Sequence, residues 1–273
     1  MLRQDGGDAR LIAGGQSLVP MMAMRLMRPR RLIDINEIAA LKFIAVEADT
    51  ARTGACTRQC VIERDEALAV RVPLLRQALA WVGHIQTRNR GTVGGSLAHA
   101  DPAAELPLAA QVLGATMVLR SAAGARAVTA VEFFTGPLMT TVEPHECLEE
   151  VRWPVWTGDR TGSGFVEVSR RHGDFAIVAA AAQIALDGDG RCARASFGIG
   201  GGGSTPRAFP ALAARLVGSR LDGEAVTGAA RDAAAGVDFA SDLHASADYR
   251  RHLAAVLVAR ALRAAHEHAK SRL

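Results

Sequence analysis

The chain has 273 residues, of which 49% are apolar and 22% charged, with a formal net charge of +4 and a pI near 9.2. That is enough apolar material to core one large domain or two modest ones, and it excludes a disordered chain. The charge excess is mild and no basic run is interleaved with aromatics, so nucleic-acid binding is not expected. No apolar stretch reaches the ~20 residues that span a bilayer, and no uninterrupted signal core opens the chain, so a cytoplasmic location without a membrane span is expected.

In chain order, Leu11-Ile12-Ala13 reads as a short buried strand that runs into the glycine turn Ala13-Gly14-Gly15-Gln16-Ser17-Leu18. Leu18 to Met27 carries Met21, Met22, Met24 and Met27, read as core packing rather than as metal ligands. Arg31 to Ile35 alternates as a strand does, and Phe43 to Val46 with Ala51 to Ala55 form a hairpin pattern. Pro73 opens a helical period through Val82 that stops at Gly83. A basic loop, Arg88-Asn89-Arg90-Gly91, leads to the second glycine turn, Thr92-Val93-Gly94-Gly95-Ser96, and Pro102 to Leu113 reads as helix. Strands are expected over Ala115 to Arg120 and Arg126 to Thr129.

The polar, glycine-rich segment Trp156 to Gly164 marks a domain boundary, dividing the chain into 1–160 and 161–273. Beyond it, Ala176 to Leu186 and Ala193 to Ile199 are strand candidates joined by the hairpin signal Asp187-Gly188-Asp189-Gly190. The remainder is helical, with Ser246 as a cap. Gly200 to Gly203 reads as a flexible connection rather than a third phosphate loop. Strands come before helices without regular alternation, so the fold class is α+β.

Of the four cysteines, Cys56 and Cys60 are close, but a lone C-x3-C is poor evidence for zinc or an iron–sulfur cluster. The cluster His145-Glu146-Cys147 reads as loop. The two glycine turns carry more information. Glycine lets a backbone approach an anion closely, and successive N–H groups can converge on a phosphate. Neither turn follows the G-x-G-x-x-G pattern of doubly wound nucleotide folds, and no Walker A lysine is present.

Together the motifs resemble the flavin-binding medium subunits of the molybdenum hydroxylase family. The matching segments are Ala13 to Met22, Leu32 to Asn36, Arg88 to Leu97, Asp101 to Pro107, Ser169 to Ala176, Thr205 to Ala208 and Asp248 to Arg251, in the family's order. The resemblance implies a two-subdomain FAD-binding domain of the PCMH type, followed by a domain of a small antiparallel sheet with a helix bundle. It implies non-covalent FAD, with its pyrophosphate between Ala13, Gly14, Gly15, Gln16, Ser17 and Leu18 on one side and Thr92, Val93, Gly94, Gly95 and Ser96 on the other. Asp101 and Glu105 look like positions near the ribose and adenine, with a solvent-facing cap as the competing reading. Ile85 to Thr87 and Asp174-Phe175 resemble positions bordering the isoalloxazine, although Phe175 could instead be a core residue. Arg170-Arg171 could face a reduced flavin or simply bridge carboxylates.

The implied role is electron transfer. A small subunit with two [2Fe–2S] clusters passes electrons to this FAD, a large molybdopterin subunit oxidises the substrate, and the assembly is a dimer of heterotrimers. The metal cofactors belong to the partners, and no residue of this chain is expected to act as general base or nucleophile. A stand-alone flavin oxidase or reductase is the alternative; such enzymes often attach flavin through a histidine near the first turn, where this chain has Gln16. Relatives usually carry a further strand and helix before the first glycine turn; here that element is either missing or the start of the chain has been placed too late, and its loss is expected to uncover one sheet edge. Substrate and electron acceptor are not legible in the sequence.

Overall fold

A computed structural model describes Leu2, residues 8–158 and residues 160–272. A small parallel unit comes first among the described elements: β1 (Ala9–Ile12) runs into α1 (Leu18–Ala23) and pairs with β2 (Arg31–Asp34). A five-stranded antiparallel sheet follows. Its hairpin β3 (Ile44–Val46) and β4 (Thr50–Gly54) is joined to the rest by the helices α2 (Gln59–Arg64), α3 (Glu66–Arg71), α4 (Pro73–Leu79), α5 (Ile85–Arg90), α6 (Val93–His99) and α7 (Glu105–Leu113). Then come β5 (Thr116–Ser121), β6 (Gly124–Thr129), α8 (Ala130–Phe133), the short pair β7 (Phe134–Gly136) and β8 (Met139–Thr140), and β9 (Cys147–Pro154).

The strand order is β3-β4-β9-β5-β6, so the last strand of this part lies in the middle of its sheet. That position explains the sequence of β9: Leu148, Val151 and Trp153 are buried, and the Trp153 indole N–H donates to Thr53 Oγ1 at 3.0 Å.

The second sheet runs β10 (Thr161–Val168), β11 (Val178–Leu186), β12 (Cys192–Gly200) and β13 (Arg207–Ala208), all antiparallel. The Asp187 carboxylate closes its central hairpin by accepting from the backbone N–H groups of Asp189 and Arg191. α9 (Pro210–Ala214), α10 (Gly223–Ala235) and α11 (Ala247–Ser271) complete the chain. Ser246 caps α11 by accepting from Tyr249 N. α11 packs a stripe of buried alanines and leucines onto β10 and β11, and Gly162 and Gly164 let its backbone settle directly on β10. The other face of the sheet meets α4 and α7, and Phe165, Ala179 and Ala181 enter the core that holds Leu74, Leu75, Leu106 and Leu108. Each of those leucines, fully buried, stabilises the fold by about 1.5–3 kcal/mol.

Several expectations change. The basic segment Arg88-Asn89-Arg90 is the end of α5, not a loop, and the second glycine turn itself opens α6. Arg88 ties α5 to the turn before it and to α2, donating to the carbonyl of Val82 and pairing with Glu63 at 2.8 Å. The 102–113 helix starts at Glu105, since Asp101 forms an Asx turn with Ala103 N. Thr161 to Gly164 is strand rather than linker, its glycines being required by α11. The methionine-rich segment is not core: α1 buries none of its residues, and Met24 is 62% exposed.

A Cβ on Gly162 would lie 2.2 Å from the backbone of Ala265 and Ala269, whereas Gly228, inside α10, meets nothing within 4 Å. Gly162→Ala is therefore expected to cost about 3 kcal/mol or more, while Gly228→Ala is expected to stabilise by about 0.5–1 kcal/mol. Urea unfolding of the two variants checks both signs.

Candidate functional site

The first glycine turn is built by close packing. Gly15 has a φ of +73°, a conformation that favours glycine. Gly14 is buried, and a Cβ there would stand 2.3 Å from the Arg90 carbonyl oxygen and 2.9 Å from Gly91 Cα. The bare backbone of Gly14 thus lies directly on the end of α5, and the two glycine turns, some eighty residues apart in sequence, become neighbours.

A relay of hydrogen bonds fixes that contact. Asn36 Nδ2 donates to the Ala13 carbonyl at 2.7 Å, Arg58 donates to Asn36 Oδ1 at 2.7 Å, and the same guanidinium donates to the Arg90 carbonyl. Asn36 is oriented in turn by the Asp34 carboxylate, which accepts from its backbone N–H and from Nδ2. Those bonds, the backbone one first, hold the Asp34 carboxyl below the usual range.

The second turn is equally tight but differently employed. A Cβ on Gly94 would stand 2.4 Å from Ala55 Cβ. Val93 N donates to Thr57 O, Gly94 N to Ala55 O, Gly95 N to the Thr92 hydroxyl and Ser96 N to Thr92 O. Its amides are therefore consumed within the protein. By contrast, the backbone N–H groups of Gly14, Gly15, Gln16 and Ser17 meet no acceptor among the described residues. The open donors of the cradle belong to the first turn, and the second turn offers the Ser96 side chain and the bare backbone of Gly95.

Both turns open onto one cavity of about 720 Å3. Ala13, Gly14, Gly15, Gln16, Ser17 and Leu18 line it, with Thr92, Gly94, Gly95 and Ser96, then Asp101 and Glu105, and finally Asp174 and Phe175. Val93 does not: its side chain is fully buried in the core. Of Ile85 to Thr87 only Thr87 reaches the cavity, and Ile85 is turned to solvent. Phe175 is 65% exposed, so it is not a core phenylalanine. Gly173, with φ +88°, brings its loop against His84, where a Cβ would meet the ring at 2.8 Å. Arg170 faces His244 rather than the cavity.

Sequence reasoning missed a wall formed by Leu138, Thr140, Val142 and Glu146 to Leu148. Arg126 holds that wall through a two-pronged contact with Glu146, both bonds at 2.7 Å. Glu105 is 6% exposed and forms no ion pair among the described residues. Burial pushes its carboxyl up to about 7; its own backbone N–H and Arg88 oppose this, and Asp101 adds to it. Among the described residues no cluster of His, Cys, Asp and Glu has metal-binding geometry, and Cys56 Sγ donates to Ile35 O.

A cavity lined by unpartnered backbone amides together with hydroxyl and carboxyl groups has the chemistry to hold an anionic nucleotide. Residues 1–156 match the family described as the FAD binding domain in molybdopterin dehydrogenase, and residues 163–265 match the CO dehydrogenase flavoprotein C-terminal domain. The chain belongs to this family of FAD-binding oxidoreductase subunits of molybdenum hydroxylases.

Among relatives, the 6-hydroxypseudooxynicotine dehydrogenase complex subunit alpha of Paenarthrobacter nicotinovorans is 39% identical, over 96% of this chain and 88% of its own length. Among solved structures, carbon monoxide dehydrogenase of Hydrogenophaga pseudoflava superposes with a TM-score of 0.94 at 36% identity, covering 98% of this chain and 92% of that one. Quinoline 2-oxidoreductase of Pseudomonas putida 86 superposes at 0.91 with 40% identity and the same coverage.

Because the Gly14 contact holds the turns together, Gly14→Ala is expected to weaken FAD binding at least tenfold, about 1.4 kcal/mol or more, with the far-ultraviolet circular dichroism unchanged. Fluorescence titration of the purified chain with FAD checks it.

Proposed function

We propose that the chain holds FAD non-covalently in this cavity and passes electrons from the [2Fe–2S] clusters of a small partner subunit to an external acceptor. The observation that carries the reading is the set of unpartnered amides at Gly14, Gly15, Gln16 and Ser17, seated on a cradle that a single Cβ would fill. The fit is chemical: the amides answer the pyrophosphate charge, with the hydroxyls of Ser17, Thr92 and Ser96 beside them. Asp101 and Glu105 stand where ribose or adenine hydrogen bonds can be accepted. Thr87, Asp174 and Phe175 would border the ring. Bound FAD supplies a centre that exchanges electrons singly or in pairs.

The chain's own work is to bind, orient and shield that centre. The Arg58 relay fixes the first turn, and the loop carrying Gly173 to Phe175 closes the cavity from the second sheet. Substrate oxidation belongs to a large molybdopterin subunit in this reading, with the three chains assembled as a dimer of heterotrimers in the cytoplasm. The names of relatives support it: they include carbon monoxide dehydrogenase medium chains and a nicotine 6-hydroxylase medium subunit.

The purified chain is expected to take up one equivalent of FAD, to turn yellow and to bleach with dithionite. Co-expressed with the two partner chains of its host, it is expected to co-purify with molybdenum and iron. A chain that remains colourless with excess FAD contradicts the reading, as does a flavoprotein that turns over alone.

A further inference from the structure

A second cavity, of about 900 Å3, lies where the two large sheets meet, and nothing in the flavin reading uses it. Val70 and Arg71 at the end of α3, Trp156 after β9, Arg160 and Thr161 at the start of β10, and Arg272 after α11 all line it. It shares no lining residue with the cavity of the glycine turns. β10 separates the two: Thr161 stands at one, and the loop beyond Val168 reaches the other, about 23 Å along the strand.

Three guanidinium groups are brought together here from three segments of the chain. Arg272 donates to the carbonyls of Thr161 and Val70, at 3.4 and 3.0 Å, and so joins the two places that carry Arg160 and Arg71. Arg160 donates to the carbonyls of Asp187 and Gly188 at 3.0 and 3.2 Å. Arg71 donates to the Ala48 carbonyl. Every one of these acceptors is neutral. Among the described residues none of the three arginines pairs with a carboxylate, and Asp187, the one acid among those lining the cavity, turns Oδ1 to the backbone N–H groups of Asp189 and Arg191. The neighbouring Asp159 lies outside the described residues.

Carbonyl anchors fix a guanidinium in place without cancelling its charge. Each group has five N–H donors, so all three keep donors to spare after these bonds are made. Held together, the like charges repel one another, and an anion between them relieves that repulsion. Trp156 adds a second unsatisfied element: it is 7% exposed, and its indole N–H has no acceptor. A fourth cation, Arg194, lies over the Trp156 ring at 4.0 Å.

The rest of the wall is of a different kind. Val70, Val155 and Leu186 line the cavity beside the arginines, and its volume exceeds what a bare inorganic anion fills. A phosphate ester answers both halves: three terminal oxygens for three guanidinium forks, and an organic part for the apolar wall. We propose that this cleft binds a small phosphate monoester, held by Arg71, Arg160 and Arg272, at a site separate from the flavin cavity. Arg71 comes from the part of the chain before the junction, and Arg160 and Arg272 come from the second sheet and its last helix, so the ligand would bridge the two. The proposal does not rest on the reading of the other cavity as the site of FAD.

Phenyl phosphate is the probe, titrated by calorimetry and by tryptophan fluorescence into the chain saturated with FAD, which occupies the other anion site. One equivalent is expected to bind, more tightly than inorganic phosphate does, with a change in tryptophan emission that W156F removes. R160A is expected to raise the dissociation constant at least tenfold. R71A, which gives up a bond to a single carbonyl, is expected to do the same and decides the matter should R160A not fold. Absence of saturable binding overturns the proposal, as does an affinity that R71A leaves unchanged. A chain that takes up no FAD overturns the cofactor reading alone; phenyl phosphate is then titrated into R71A and G14A side by side. Weakening in R71A and not in G14A supports the cleft, and weakening in G14A alone refutes it.

Discussion

The site depends on the contact between the backbone of Gly14 and the carbonyl of Arg90. Remote segments meet there with no side chain between them, and the relay from Ala13 through Asn36 and Arg58 to Arg90 holds them in register. Without that contact the parallel unit of β1 and β2 would be tethered to the larger sheet only loosely. With it, the free amides of the first turn are held over a rigid floor. Preorganised donors of this kind bind an anion without the cost of ordering the loop at the moment of binding.

A second constraint orders the rest of the molecule. Alanine and glycine dominate the face of β10 and β11 under α11, which lets the longest helix pack close to the sheet and leaves the opposite face free to receive α4 and α7. The loop after β10 is thereby delivered to the mouth of the cavity. The buried polar groups on that same face, Ser163, Glu167 and Gln183, have oxygens without partners.

Much of this was legible in the sequence, and what was not has identifiable causes. Gly14-Gly15 and Gly94-Gly95 announced backbone approach, and the α+β class followed from the order of strands and helices. Two aspects escaped a linear reading. Composition showed Gly94 as a candidate donor of its amide, but Thr57 and Ala55, which accept from Val93 and Gly94, are distant in sequence. The methionines of residues 21–27 resembled core because apolar character does not reveal what lies opposite it; in the structure Met24 is exposed, while Met21 and Met27 are half-buried and line the cavity. The cavity wall around Leu138 to Leu148 carried no motif, since distant partners place it: Leu138 N donates to the Ala100 carbonyl, and Arg126 holds Glu146.

The central claim is a division of labour between the two turns: the first supplies the anion's donors, and the second, its amides already bonded, supplies hydroxyls and close packing. Amide hydrogen exchange, followed residue by residue by NMR with and without FAD, tests it directly. The account predicts that the amides of Gly14 to Ser17 exchange freely in the empty chain and become protected when FAD binds, while those of Val93 and Gly94 are protected in both states. Protection that appears on binding at Val93 to Ser96 and not at Gly14 to Ser17 would contradict it.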